Sequence, residues 1–510
     1  MLPASVSYHL SSFITACHIP LLRMRLGQVS LSSHIQPMIR QPVTLQPTTF
    51  SPSQGGPGKA PICALATQPG GAIGIVRVSG EGALEVTDRI FRSKKGKHLT
   101  EAGGYTLHYG EILDKDGETI DDVLVSVFRA PHSYTGEDST EIACHGSAYI
   151  LNKVVQVLIK AGCRQAQPGE YTQRAYLNGK MDLSQAEAVA DLIAASNRAS
   201  HQIALSQLKG HFSSELSQLR KQLLKMTSLL ELELDFSDHE ELEFADRSEL
   251  KVLAEKIHNR ITTLAESFET GNALKRGIPV AIIGKTNVGK STLLNCLLHE
   301  EKAIVSNIHG TTRDTIEDTT EIQGVTFRFI DTAGLRHTDD QIEQLGIRRA
   351  YAKLDEASIV LWVVDRQPTT EERMEMRHLT EEKKLITVFN KMDTMPAAAR
   401  CPEVNPQVIY ISAKLKQNIT ALETAIYEAA GLQTINENSV IITSARHYDA
   451  LSHADESILR VINALNDGLS GDLISEDLRI CLDQLADITG GQITTHEVLG
   501  NIFKNFCIGK

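Results

Sequence analysis

At 510 residues, with 42% hydrophobic and 22% charged side chains, the chain has ordinary globular composition and length for roughly two to four domains. A formal net charge of −12 excludes a generally basic nucleic-acid coat, though not a local basic patch. The eight cysteines include no C-x-x-C pair, which argues against a zinc knuckle or a disulfide framework and for a reducing compartment; no uncharged apolar run is long enough for a helical membrane span.

Residues 1–60 stand apart. No Asp or Glu precedes Glu81, while Ser, Thr, Pro and Gln are plentiful. An acid-poor, Ser-rich segment fits an organellar transit peptide. Arginine is sparse (Arg23, Arg25, Arg40), however, and Pro3, Pro20, Pro37, Pro42 and Pro47 would interrupt an amphipathic helix. A disordered extension and translation from an upstream start codon remain open beside it. The expected location is cytoplasmic, or mitochondrial or plastid if the segment is a transit peptide.

Residues 61–181 read as an α+β unit. Gly71–Val78 is a glycine turn entering a strand, Asp122–Phe128 alternates as a strand, and Ala148–Ala161 has helical periodicity with Ile150, Val154, Val155 and Leu158 on one face. The polar stretch Gln167–Leu183, with Tyr171 and Tyr176, fits either a buried helix start or a ligand pocket. Residues 182–275 are helical. Ala186, Val189, Ala190, Ile193 and Ala194 form one stripe, a second helix runs Ser214–Leu234, and a third Ser248–Phe268. Residues 276–435 carry an α/β pattern, and 436–510 return to helices at Ala445–Leu469 and Ser475–Ile488. The α/β segment is therefore expected as an insertion in a helical domain whose two parts pack together to cover their apolar stripes.

Within the insertion, Gly284-Lys285-Thr286-Asn287-Val288-Gly289-Lys290-Ser291 fits G-x-x-x-x-G-K-[ST] between the apolar run Ile278–Ile283 and a helical one from Thr292. That is the strand–loop–helix context of a phosphate loop. Its amides and helix N-terminus face phosphates, Lys290 reaches the β- and γ-phosphates, and the Ser291 hydroxyl takes Mg²⁺. Asp331-Thr332-Ala333-Gly334 follows Phe327–Ile330, where a carboxylate holds Mg²⁺ through water and a glycine amide meets the γ-phosphate. Asn390-Lys391-Met392-Asp393 follows Leu385–Phe389, and its Asp accepts the N1 and N2 protons of guanine. Ser412-Ala413-Lys414 follows Val408–Ile411 and completes a base pocket. Motifs just past strands mark the ligand edge of an open parallel sheet. The order and spacing are those of a GTP-binding hydrolase of the Ras-like P-loop class.

Ser306-Asn307-Ile308-His309-Gly310-Thr311-Thr312 lies at switch-I spacing, with Thr312 a second hydroxyl for Mg²⁺. Leu335 occupies the place of a water-orienting Gln and cannot polarise water. Glu343 is the best carboxylate substitute; a solvated helix face is the competing reading. The amide of Asn287 is suited to a monovalent cation at the phosphates, which would act as an arginine finger does. The tail Phe506-Cys507-Ile508-Gly509-Lys510 does not match a prenylation box, and its Cys reads as a buried thiol or a nucleophile.

Together these motifs, the Pro168–Leu183 stretch, Gln185–Asp191 and the terminal Phe-Cys-Ile-Gly-Lys resemble the tRNA-modification GTPase family known as MnmE or TrmE, over Ile62 to Lys510. The resemblance implies a multidomain α/β architecture: an α+β N-terminal folate-binding-like domain that dimerises, a helical domain, and an inserted GTPase domain. It implies joint action with an FAD-dependent, NADH-using partner of the MnmG (GidA) type, as a heterotetramer or larger complex. The product would be 5-carboxymethylaminomethyl or aminomethyl uridine at the tRNA wobble position. The one-carbon unit would come from 5,10-methylene- or 5-formyl-tetrahydrofolate at Arg77, Glu141, Lys180 and Lys510. It further places K⁺ at Asn287, Ser306, Ile308 and Thr311, Mg²⁺ at Ser291 and Thr312, the water-orienting role on Glu343, and a functional role on Cys507. Val288, Gly289 and Thr292 complete the expected phosphate-loop contacts. A ribosome-binding regulatory GTPase and a GTP-gated scaffold without catalytic side chains share the nucleotide motifs; the Pro168–Leu183 stretch and the tail disfavour the first.

Overall fold

The computed structural model describes residues 61–235, 247–298, 318–330, 356–381, 383–394, 407–432, 439–491, 499, 502–504, 506 and 509. The first part is a seven-stranded sheet. Its strands are β1 (Ile62–Leu65), β2 (Ile73–Ser79), β3 (Phe91–Ser93), β4 (Thr106–Leu113), β5 (Thr119–Phe128), β6 (Ser139–His145) and β7 (Arg164–Gln165), in the order β3-β4-β5-β6-β2-β1-β7. All pairs are antiparallel except β1 with β7. Helices α1 (Ala83–Ile90) and α2 (Ala148–Ala161) cover one face, burying Val76, Val78, Val123, Val125 and Ile142 against Leu84, Leu151, Val154 and Leu158. The close fit needs a glycine: a Cβ on Gly74 would lie 2.5 Å from Leu151 Cδ1. The opposite face carries the Arg77–Glu141 pair, with Leu107, Tyr109 and Leu124 exposed.

After α3 (Glu170–Leu177) come α4 (Leu183–Ala194), α5 (Arg198–Leu208), α6 (His211–Asp235) and α7 (Arg247–Arg276). The apolar stripe expected along α4 is only partly buried. Leu183, Ser184, Ala186 and Ala188 face inward, whereas Ile193 is 43% exposed. The chain breaks after Ala194, and Asn197 caps α5 through a reciprocal box with Ser200. Helix α7 outruns the expected end at Phe268, because Gly271 and Leu274 continue its buried side, and it leads almost directly into the next sheet.

That second sheet has six strands: β8 (Ile278–Ile283), β9 (Asp318–Ile322), β10 (Val325–Ile330), β11 (Ile359–Val364), β12 (Lys384–Phe389) and β13 (Val408–Tyr410). Their order is β13-β12-β11-β8-β10-β9, parallel except for edge strand β9. The central strands are nearly continuous apolar runs because both faces are covered. Helices α8 (Lys290–Leu297) and α10 (Ile419–Ala429) pack Leu294, Leu422 and Ile426 on one face against Val280, Phe327 and Leu361. Helix α9 (Thr370–Leu379) brings Leu379 to the other, beside Ile330 and Val360. Finally α11 (Ala445–Asn466) and α12 (Gly471–Thr489) return to α6 and α7, sharing a core of Leu216, Leu223, Leu230, Ile257, Ile261, Ile458, Leu478 and Leu485. The α/β part is thus inserted between two halves of one helical bundle, the fold class expected from the sequence.

Candidate functional site

Three loops meet at the carboxyl ends of β8, β12 and β13. Gly284 (φ 151°) leaves β8 so close to β11 that a Cβ would stand 2.3 Å from the Val363 carbonyl. Asn287 sits in left-handed backbone (φ 63°), a conformation Asn tolerates better than most residues, so its identity has a backbone reason besides its amide. Gly289 (φ 95°) caps α8, and a Cβ there would fall 2.3 Å from Asn390 Nδ2. Lys290 folds its ammonium back over the loop, donating to the carbonyls of Gly284 (2.8 Å) and Lys285 (2.7 Å); burial lowers its pKa. Val288 is buried, Ser291 lies one residue into the helix, and Thr292 is exposed.

The loop after β12 locks onto the first. Asn390, itself buried, donates from Nδ2 to the Val288 carbonyl (2.8 Å) and accepts at Oδ1 from the Ala413 amide (3.0 Å). Lys391 Nζ donates to the Asn287 carbonyl (2.7 Å) and pairs with Asp365 Oδ2 (3.0 Å). Asp393 Oδ1 accepts from Ser412 Oγ (2.6 Å), and this bond holds its carboxyl below the usual pKa. Cys296 of α8 donates to the Ala413 carbonyl, and Lys414 is exposed. The geometry brings Asn287, Val288, Gly289, Lys290, Asn390, Lys391, Asp393, Ser412 and Ala413 into one hydrogen-bonded assembly. Asp365 was not singled out from the sequence, although its place just past the apolar run of β11 puts it on the same sheet edge. Ser306, Asn307, Ile308, His309, Gly310, Thr311, Thr312, Asp331, Thr332, Ala333, Gly334 and Glu343 lie outside the described residues.

A second polar cluster sits on the open face of the first sheet. Arg77 and Glu141 are register partners across β2 and β6, with Arg77 Nε and Nη2 both donating to Glu141 Oε1 at 2.9 and 2.7 Å. The guanidinium carbon lies 5.5 Å from the Tyr134 ring and 5.6 Å from the Tyr171 ring, a double cation–π arrangement. Tyr171, fully buried, donates its hydroxyl to the Arg77 carbonyl (2.8 Å). Arg77 Nη1 also donates to the Gly509 carbonyl (3.3 Å), which brings Gly509 to this pair; a Cβ on Gly509 would meet the Leu65 carbonyl at 2.0 Å. Lys180 stands apart, its Nζ bonded to the Pro131 carbonyl (2.9 Å). Cys507 and Lys510 lie outside the described residues.

The polar stretch noted at Gln167–Leu183 is a helix start built on buried ions. Arg164 and Arg174 both bind Glu170, and Arg174 reaches Glu137, which accepts from Ser79 Oγ (3.0 Å). Burial pushes the Glu170 carboxyl up, but the two guanidiniums and the Gln167 amide hold it below its ordinary value. Sequence reasoning missed Tyr134 and Glu137; both lie in the loop between β5 and β6, and their side chains bond to Thr172 and Arg174, 37 or more residues away.

A family model described as the GTP-binding protein TrmE N-terminus matches residues 61–180, and one described as the MnmE helical domain matches residues 183–507. A tRNA modification GTPase MnmE of Phocaeicola vulgatus is 56% identical, covering 88% of this chain and 98% of that protein. The one from Parabacteroides distasonis is also 56% identical, covering 88% and 99%. Among solved structures, the FeoB G-domain from Methanococcus jannaschii is 26% identical, covering 30% of this chain and 98% of that one with a TM-score of 0.22.

Proposed function

The chain belongs to the MnmE family of tRNA modification GTPases, and from that premise we propose that it binds and hydrolyses GTP and couples the cycle to modification of tRNA. The observation that carries the nucleotide reading is the hydrogen-bonded closure of the three strand-end loops by Asn390, Lys391 and Ser412. Lys290, already aimed into the loop mouth, exchanges its two backbone carbonyls for the β- and γ-phosphate oxygens. Asp393 is ionised and oriented by Ser412, and its free lone pairs read the guanine edge. Asn390 holds the base loop, while Ser412, Ala413 and Lys414 border the base.

Ser291 and Thr312 supply the hydroxyls for Mg²⁺, which when bound offsets phosphate charge. Asn287, Ser306, Ile308 and Thr311 supply the oxygens for K⁺, and Glu343 orients the attacking water. Thr292, Asn307, His309, Gly310, Asp331, Thr332, Ala333 and Gly334 complete the nucleotide contacts.

The finer chemistry follows the family. With an FAD-dependent MnmG-type partner, in a heterotetramer or larger complex, the homodimeric chain would form 5-carboxymethylaminomethyl or aminomethyl uridine at the wobble position. Arg77, Glu141, Lys180 and Lys510 would hold the tetrahydrofolate, with Cys507 acting beside it. Support comes from the hydrogen bond that joins the Arg77–Glu141 pair to the Gly509 carbonyl. The domain limits 61–181, 182–275, 276–435 and 436–510, and a cytoplasmic location, belong to the same proposal. No helix among the described residues is long and apolar enough to cross a membrane.

The test is mass spectrometry of wobble uridines in cells lacking this chain. Loss of the C5 aminomethyl-type groups, restored by the wild-type chain, is expected; unchanged uridine modification would reject the tRNA role and leave only a regulatory GTPase.

A further inference from the structure

Helix α6 carries a cationic face on the outside of the bundle. From Leu216 to Leu230 this helix carries Arg220, Lys221 and Lys225 and no Asp or Glu, in a chain whose net charge is −12. The three cations are exposed and share one side of the helix with Ser217 and Ser228. The opposite stripe, Leu216, Leu219, Leu223, Met226 and Leu230, is at most 3% exposed and forms the bundle core.

The carboxylates that bound the stretch are engaged elsewhere. Glu215 pairs with Arg260 at 2.9 Å and Glu231 with Arg479 at 2.7 Å. The cationic face therefore keeps its charge. Another basic run, Arg92 to Lys97, differs: Arg92 and Lys94 are both bound to Glu111.

We propose that the solvent face of α6, through Arg220, Lys221 and Lys225, is a contact surface for the phosphate backbone of RNA. The proposal rests on the tRNA reading above and assigns it a place. Three exposed cations within about 7.5 Å of helix rise, flanked by hydroxyls, make the kind of contact that positions a nucleic acid without reading its sequence. A basic amphipathic helix can also lie on a membrane, but that requires a free apolar side. Here that side is buried in the bundle.

The experiment compares the full-length wild type with the triple variant Arg220→Gln, Lys221→Gln, Lys225→Gln, using fluorescence anisotropy with unmodified tRNA over a range of KCl. Each lost phosphate contact should reduce the slope of log affinity against log salt by about 1. The variant should therefore lose about 2 to 3 from the slope and bind at least about tenfold more weakly at low salt, with unchanged melting and tRNA-independent GTP turnover. If wild type binds tRNA and the variant matches it in affinity and slope, the α6 assignment falls while the tRNA reading stands. If wild type shows no salt-dependent tRNA binding, the α6 assignment falls, and the tRNA reading is decided by the wobble-uridine mass spectrometry. A variant that keeps tRNA affinity but loses binding to polyglutamate overturns the assignment in favour of an acidic protein partner.

Discussion

At Asp393 the bond from Ser412 does two things: it fixes the carboxylate's direction and lowers its pKa further below the ordinary value. The carboxylate accepts charge-assisted hydrogen bonds from the guanine N1 and N2 groups, so Asp393→Asn should weaken GTP by at least about tenfold while sparing xanthosine triphosphate, as read by titration calorimetry. Retained guanine selectivity would contradict the base-pocket assignment. At Asn287 the left-handed backbone calls for a particular control. Asn287→Gly keeps φ 63° accessible and removes only the amide. Turnover of the wild type should be several-fold faster in K⁺ than in Na⁺, and the variant should lose that difference with GTP affinity largely kept. Equal rates in both salts for the wild type remove the cation from the account. Glu343→Ala should cost roughly 10²-fold in turnover at near-normal affinity, the scale of a lost positioned base.

Among elements, α4 is tied to α11 and α12 by an ionic junction. Glu187 binds Arg446 Nε (2.8 Å) and His447 Nε2 (2.6 Å), while Arg446 also reaches the carbonyls of Asp487 and Ile488 at the end of α12. Burial alone would push the Glu187 carboxyl up, but His447 and Arg446 hold it at about 2. Its contribution to stability is therefore full above the ordinary carboxylate range and lost as pH falls toward about 2. Glu187→Gln takes the carboxylate away from half-buried Arg446 and buried His447, so it should destabilise the bundle by about 1–3 kcal/mol and flatten the acid limb of the pH–melting curve. A variant with wild-type acid dependence would show that the junction does not carry the effect.

The elements also show what a sequence can display. Strands β8, β10, β12 and β13 were legible because they are largely apolar and each is followed by a motif, whereas edge strand β9 is Asp-Thr-Thr-Glu-Ile and β11 leads into no motif that was singled out. In the first sheet, β6 is Ser-Thr-Glu-Ile-Ala-Cys-His, half polar on its open face, and β1 spans only Ile62–Leu65. Neither carries enough periodicity to be read. The break between α4 and α5 was written in the Asn197–Ser200 box, just past Ala194 where the expected apolar stripe ends.

On the scale of the whole molecule, the inserted sheet enters and leaves the bundle at one place. Ile442 donates its amide to Ser267 Oγ of α7 (3.1 Å), and a Cβ on Gly271 would meet the Ile442 carbonyl at 2.0 Å. Replacing residues 277–438 with a short Gly-Ser linker should therefore leave a helical protein that melts cooperatively, as followed by circular dichroism. A non-cooperative product would mean that the halves of the bundle need the insertion to find each other. The phosphate loop and the Asn390 and Ser412 loops were readable as motifs because their spacing is local to strand ends. The Arg77, Tyr134 and Tyr171 cluster was not, since its contacts are assembled from β2, the β5–β6 loop and α3.

Titration of the purified full-length chain with GTP and ATP, in magnesium and potassium, tests the central claim most directly. Saturable GTP binding with no comparable binding of ATP is the predicted result. A folded chain that binds neither nucleotide, or both alike, would contradict the reading of the three closed loops as a guanine-nucleotide site.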